Sequence, residues 1–285
     1  MPDIHTEKHQ TYKADDEAKI EQEFLKGTKN QDLGVYCDLF SAKSSIEGQD
    51  GGVVTALLVK GFKEGIFDAA IVVRRMEGYS AEAVVAENIN EVLAAKGTKY
   101  LKVNVTKKLR ELISQGKKRI AIVCTPCEAK TARKIQQTLK TDCQITIIGL
   151  FCFEAFDAAK LKEKLTMRLG VDLDKVEKAQ VRQGKFMVHV DGKEYGCRIK
   201  DLDGAAEKAC DFCGDFTSQF ADVSVGSVGS KQGYSTVIVR SKAGEKLVEN
   251  LDAAKETVDK QEVARLAKFK KERAKKNFLA LNSPR

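Results

Sequence analysis

The sequence predicts an α/β fold, a mixed sheet core with flanking helices, and an α+β second half wrapped onto the first. Three observations predict it. Ala69–Val73, Ile120–Val123 and Ile145–Leu150 are short, continuous apolar runs rich in branched residues, the pattern of strands buried on both faces. Helix-like stretches, Val53–Glu64, Thr106–Ser114 and Glu128–Thr138, lie between or beside them, and alternation at this pace argues for a substantially parallel sheet. After Cys152 the texture changes to hairpin-forming strands.

In chain order, residues 1–33 are polar and rich in Lys, Glu and Asp. They read as a leader, partly helical and loosely tied down, without the apolar stretch of a signal peptide. The core begins at Val35. Ala155–Leu169 is an amphipathic helix ended by Gly170. Lys185–Val190 and Lys193–Ile199 flank Asp191-Gly192, a tight-turn signal that predicts a hairpin. Ala221–Val228 and Ser235–Arg240 are further strands. With three prolines in the chain, no linker declares itself. Residues 34–250 are therefore expected to form one unit with two lobes, and 251–285 a basic helical tail.

Composition narrows the function classes. No apolar run approaches the roughly 20 residues of a membrane span, and cytoplasm is the default compartment. There thiols stay reduced, so eight cysteines are better explained by metal than by disulfides. Net charge is +8, with much of the basic excess in Lys255–Lys276. That segment fits a solvated terminal helix, or a face for an acidic partner or anionic cofactor. The chain has no Trp and no recognisable nucleic-acid module, which ranks that partner low.

Three constellations carry chemistry. Gln49-Asp50-Gly51-Gly52, followed by Val53-Val54-Thr55, places two glycines just before a helix. A helix start suits a phosphate, because its free N–H groups carry partial positive charge and glycines allow close approach. A plain turn with Asp50 as helix cap accounts for the same residues. Gly97-Thr98-Lys99-Tyr100 offers a further hydroxyl, cation and ring. The second constellation is Cys124-Thr125-Pro126-Cys127, Cys152 and Cys210-Asp211-Phe212-Cys213. Two CxxC pairs would make a four-thiolate zinc site; one CxxC at a helix start would make a thioredoxin-like pair; four scattered thiolates would hold an iron–sulfur cluster. Cys37, Cys143 and Cys197 read as structural thiols. The third is Gly226-Ser227-Val228-Gly229-Ser230 ahead of Lys231 and Tyr234, where small residues leave room for a flat ligand and Lys231 can meet an anion. His5, His9 and His189 join no catalytic pattern, so hydrolysis is not supported.

The phrases GQDGGVVTALL, GTKY, TPC, IIGLFCFEAF, CDFC and ADVSVGSVGS followed by GYSTVIVR occur in this order. Together they resemble the beta-subunit family of coenzyme F420-dependent hydrogenases and dehydrogenases, from about Leu33 to Val248. The resemblance implies an oxidoreductase subunit binding FAD and one 4Fe–4S cluster and exchanging hydride with the deazaflavin F420. A flavin joins a hydride carrier to one-electron centres. Carried over by motif, the cluster ligands are Cys127, Cys152, Cys210 and Cys213, with Cys124 dispensable. That set overrides the paired-CxxC zinc site; the alternative is a structural-zinc binding protein with a basic docking tail. Gln49, Asp50, Gly51, Gly52 and Thr55 would line the FAD site, with Thr98, Lys99 and Tyr100 close by and Thr125 and Pro126 beside the cluster. Gly226, Ser227, Lys231 and Tyr234 would face flavin or deazaflavin. No residue need act as acid or base. The chain lacks the dense CxxCxxC runs of some relatives. The resemblance then implies direct transfer to a partner: a formate dehydrogenase, hydrogenase or heterodisulfide reductase. Tyr234 stands where some relatives have tryptophan.

Overall fold

The computed structural model describes residues 14–77, 79–139 and 142–282; His5 and His9 lie outside them. The chain opens with α1 (Ala14–Phe24), β1 (Thr28–Asn30), β2 (Gly34–Tyr36), β3 (Asp38–Ser44) and α2 (Val53–Lys63). There follow β4 (Ala69–Met76), β5 (Ser80–Ala86), α3 (Ile89–Ala94), α4 (Val105–Ser114), β6 (Arg119–Cys124), α5 (Pro126–Leu139) and β7 (Gln144–Leu150). Then come α6 (Ala158–Leu169), β8 (Val176–Arg182), β9 (Lys185–Val190) and β10 (Lys193–Arg198). The chain closes with β11 (Val223–Gly226), β12 (Ser235–Val239), α7 (Lys242–Val248), β13 (Ala253–Glu256) and α8 (Lys260–Asn282).

Among the described residues, eight strands form the main sheet in the order β13-β3-β12-β11-β7-β6-β4-β5. Its centre is parallel, β4 with β6, β6 with β7, and β7 with β11. The flanking strands β5, β12, β3 and β13 run antiparallel, so the sheet is mixed. Successive residues of β4 show why the apolar run is continuous. Ala70 and Val72 pack with α2 and α7 on one face, whereas Ala69 and Ile71 pack with α4 and α5 on the other. Both faces are covered, so both must be apolar.

The second lobe is a three-stranded antiparallel sheet, β10-β9-β8, with α6 packed on it. Asp191 and Gly192 both take positive φ, 49° and 71°, as the tight hairpin turn requires. The helix predicted over 155–169 starts at Ala158, because Asp157 caps it through Lys160 N. Phe156 is instead held extended by bridges to Leu101 and Ala206.

Two expectations need correction. The part of the leader from residue 14 onward is tied down: Ile20 and Leu33 are fully buried, Asp16 pairs with Lys134 at 3.2 Å, and Glu17 pairs with Lys130. The terminal segment is also integrated. β13 extends the main sheet beside β3, and Val263, Ala267, Lys270 and Ala274 turn one side of α8 into the body. A basic composition concealed this narrow stripe of buried positions.

Candidate functional site

Four thiols converge where the parallel strands end. Cys127 lies in the first turn of α5, immediately after β6; Pro126 occupies the first helical position, where its missing N–H is harmless. Thr125 precedes that turn, its carbonyl accepting from Glu128 N at 3.0 Å and Ala129 N at 2.9 Å and its Oγ1 3.4 Å from Cys127 Sγ. Cys152 follows β7, its N–H donating to Phe216 O at 3.0 Å. Cys210 sits in a short 3₁₀ turn, Lys208–Phe212, that ends at Cys213.

Electrostatics shows that the four sense one another. Burial pushes the Cys152 thiol far above its ordinary value, Lys270 opposes, and Cys127, Cys210 and Cys213 add to the rise. Burial likewise raises Cys210, with Cys127 and Cys213 contributing, and raises Cys213, with Cys127 contributing. The site also carries donors and cations. Ala155 N donates to Cys210 Sγ at 3.4 Å, and Lys102 Nζ lies 3.9 Å from Cys127 Sγ and 3.6 Å from Glu128 Oε1. Burial works against the Lys102 ammonium, but Cys127 and Glu128, with Cys210 and Cys152, raise its pKa above the ordinary value. Four half-buried thiols among cations fit a group that binds them as thiolates and thereby offsets their desolvation. Among the described residues, no three His, Cys, Asp or Glu side chains are arranged to hold a single metal ion. Cys124 is buried in β6.

The predicted phosphate loop has two different kinds of glycine chemistry. Gly51 is packed so closely that a Cβ would lie 2.3 Å from Ala42 O, and at Gly52 (φ 65°) one would lie 2.1 Å from Ile46 O. The glycines are thus required by main-chain packing before any ligand is considered. Asp50, at φ 50°, does not cap α2: Gly52 is the N-cap, with no side-chain hydrogen bond and no acid in the first turn. The positive helix end is therefore left without an acidic partner of its own. Thr55 is buried one turn in.

Gln49 ties this loop to the second lobe, donating from Nε2 to Ala179 O at 3.1 Å and accepting from Thr98 N at 3.1 Å. Tyr100, also at positive φ, accepts from Val181 N at 3.0 Å through its hydroxyl, and burial raises its pKa to about 12. Lys99 donates to the carbonyls of Ala95, Lys96 and Gly97 at 2.5, 3.1 and 2.7 Å. Burial, then the charge of Arg75, lowers it to about 8. Lys178 and Arg182 of β8 reach Asp50 electrostatically, although burial still raises its pKa. Loops 48–52 and 97–100 and strand β8 thus form one basic seam between the lobes.

The third predicted stretch is more occupied than expected. A Cβ on Gly226 would lie 2.2 Å from the Phe151 ring, so this glycine seats an aromatic of the protein itself. Ser227 O accepts from Ser230 N at 3.3 Å in the following turn. Lys231 pairs with Glu256 at 2.6 Å and lies 4.3 Å from the centre of the Tyr234 ring. Its charge is already matched within the chain.

Residues 39–110 match the family described as coenzyme F420 hydrogenase/dehydrogenase, beta subunit N-term, and residues 117–264 match its C-terminus counterpart. The chain belongs to this family of F420-linked oxidoreductase subunits. It is 33% identical over 269 residues to the coenzyme F420 hydrogenase subunit beta of Methanothermobacter thermautotrophicus, covering 87% of this chain and 96% of that one. Over 257 residues it is 36% identical to the coenzyme F420-dependent sulfite reductase of Methanocaldococcus jannaschii, covering 85% of this chain but only 40% of that protein. A chain in the solved F420-reducing [NiFe] hydrogenase complex from Methanosarcina barkeri superimposes with a TM-score of 0.83 at 28% identity, covering 88% of this chain and 94% of that one.

The family's N-terminal region thus carries the glycine loop and Thr98–Tyr100, and its C-terminal region carries all four converging cysteines. Sequence reasoning missed Lys102, which no motif marks. It also missed Lys270, 1% exposed. A signal for Lys270 existed: it falls in register with Val263, Ala267 and Ala274, so a lysine occupies the apolar stripe of an amphipathic helix. Among the described residues, no helix is long and apolar enough to cross a membrane.

Proposed function

We propose that this chain is the flavin- and iron–sulfur-carrying subunit of an F420-linked oxidoreductase. It would exchange hydride with coenzyme F420 and pass single electrons to or from a partner. The observation that carries this reading is the gathering of cysteines from three separate segments around shared donors: Lys102 beside Cys127, Ala155 N on Cys210, and Lys270 joining Cys152 O to Asp215 O, the carbonyl 3.6 Å from Cys213 Sγ. A basic seam lies at a helix start without an acidic cap.

The residues present fit both groups. Cys127, Cys152, Cys210 and Cys213 would ligate one 4Fe–4S cluster, with the Ala155 N–H directed at a ligand sulfur. The first turn of α2 and Lys99 would hold the anionic part of FAD. Gln49 and Tyr100 keep their loops against β8, so the lobes present one surface. Gly226, Ser227 and Tyr234 remain the candidates for contact with flavin or deazaflavin. When bound, the flavin supplies the exchange between a two-electron hydride carrier and a one-electron centre. The chain's own task is to place the groups, limit water at the half-buried thiols and hold cations nearby.

The partner is a catalytic subunit of a hydrogenase, a formate dehydrogenase or a heterodisulfide reductase; similarity to beta subunits of an F420 hydrogenase and an F420-dependent formate dehydrogenase supports the first two. Anaerobic purification tests the reading directly. Flavin absorbance, about four irons per chain, and F420-dependent reduction of a one-electron dye are expected. Absence of both the flavin band and the iron–sulfur absorbance would overturn it, and about one zinc with no iron would establish the structural-metal alternative.

A further inference from the structure

Helix α8 continues past residue 264, where the family match ends, and crosses the thiol site. Lys270 Nζ donates to Cys152 O at 2.6 Å and to Asp215 O at 2.7 Å. Arg273 donates to Phe153 O at 3.3 Å and Cys210 O at 3.2 Å. Asn277 donates to Asp211 O at 2.9 Å. The three side chains share one helical face. Their acceptors belong to the two loops that carry Cys152 and the Cys210–Cys213 pair. Aromatic contacts reinforce the same attachment: Arg273 lies 4.4 Å over the Phe153 ring, and Phe278 meets Phe212 edge-on at 5.0 Å.

We propose that α8 is a latch on the iron–sulfur site: the Lys270–Arg273–Asn277 face fixes the separation of the two ligand loops, and Lys270 sets its amino group beside the cluster. The inference rests on the reading of the four thiols as ligands of one cluster. Burying an ammonium is costly unless it is paired or hydrogen-bonded. Lys270 hydrogen-bonds two carbonyls, and the acidic groups around it are buried Asp215 and Cys152, Cys210 and Cys213, which would be thiolates once they bind the cluster. Reduction adds an electron to that already anionic set, and a fixed cation in a poorly solvated site favours the added charge. Lys270 and Arg273 therefore act as positioning residues, through the ligand loops and the local field.

The test uses the full chain reconstituted with iron and sulfide without oxygen, the cluster being titrated by electron paramagnetic resonance. Wild type should take up about four irons; failure at this step would overturn the cluster reading and the latch with it, whereas the variants below bear on the latch alone. Lys270→Gln keeps a hydrogen-bond donor but removes the charge. Its reduction equilibrium should fall at least about tenfold, a midpoint potential lower by about 59 mV. Lys270→Arg keeps the charge and should stay near wild type. Arg273→Gln and Asn277→Ala, with unchanged circular dichroism, should release iron to a chelator about tenfold faster. A Lys270→Gln potential equal to wild type, or an equal fall in Lys270→Arg, would overturn the role of the charge. Should Lys270→Gln fail to fold, wild-type release rates in Arg273→Gln and Asn277→Ala would still overturn the latch.

Discussion

Gly52→Ala separates two reasons for a glycine at the start of α2. If Gly52 is needed only for approach of a ligand, alanine weakens flavin binding and leaves the empty protein intact. The structure requires more. At φ 65° a Cβ would lie 2.1 Å from Ile46 O and 2.9 Å from Ser44 Oγ. The left-handed conformation costs an L-residue roughly 1–2 kcal/mol, and a collision with main chain that cannot swing aside adds about 1–3 kcal/mol. The sum is about 2–5 kcal/mol, against a typical total of about 5–15 kcal/mol. At about 2 °C per kcal/mol for a chain of this size, the flavin-free protein should melt about 4–10 °C lower. Gly97→Ala is the control. Gly97 also has positive φ, 88°, but a Cβ there meets nothing within 4 Å, so only the strain remains, about 2–4 °C. Thermal melts followed by circular dichroism read both variants. Equal shifts, or a Gly52→Ala melt within a degree of wild type, would refute the steric argument.

Three further outcomes are expected. Serine at Cys127, Cys152, Cys210 or Cys213 should each abolish stable binding of about four irons, whereas serine at Cys197 should leave iron content unchanged; retention by any ligand variant removes that residue from the set. Lys99, lowered to about 8, is an ammonium below that pH, so its contribution to holding flavin phosphate should be full below pH 8 and fade as pH rises through it, while Lys99→Met binds more weakly with no such inflection. Because the folded state then holds fewer protons than the unfolded one, the flavin-free protein should gain stability between pH 8 and the ordinary lysine value, and a flat profile in both assays would contradict the assignment. Asp222→Asn should lower the melting temperature by about 6–10 °C, since it strands the buried Arg133 guanidinium now 2.7 Å from the carboxylate, a loss of about 3–5 kcal/mol; a change within 2 °C would show that the pair is dispensable.

The parallel centre of the sheet was legible because strands buried on both faces must be apolar throughout, and Ala69–Val73, Ile120–Val123 and Ile145–Leu150 are. The hairpin at Asp191-Gly192 was legible because few residue pairs tolerate two positive φ angles. The edge strands β5, β8 and β13 were not, since half-exposed strands carry polar residues, and β13 is only four residues long. The cysteine motifs determined which residue types were available, and their adjacency was set by strand ends and loops far apart in the chain. Only the tertiary structure decided that Gly226 seats Phe151, that Lys231 is spoken for by Glu256, and that a helix rich in lysine buries one of them over the thiols. Local pattern records what a residue can do. Burial and partners, which fix charge state and direction, arise from segments that meet only when the chain is folded.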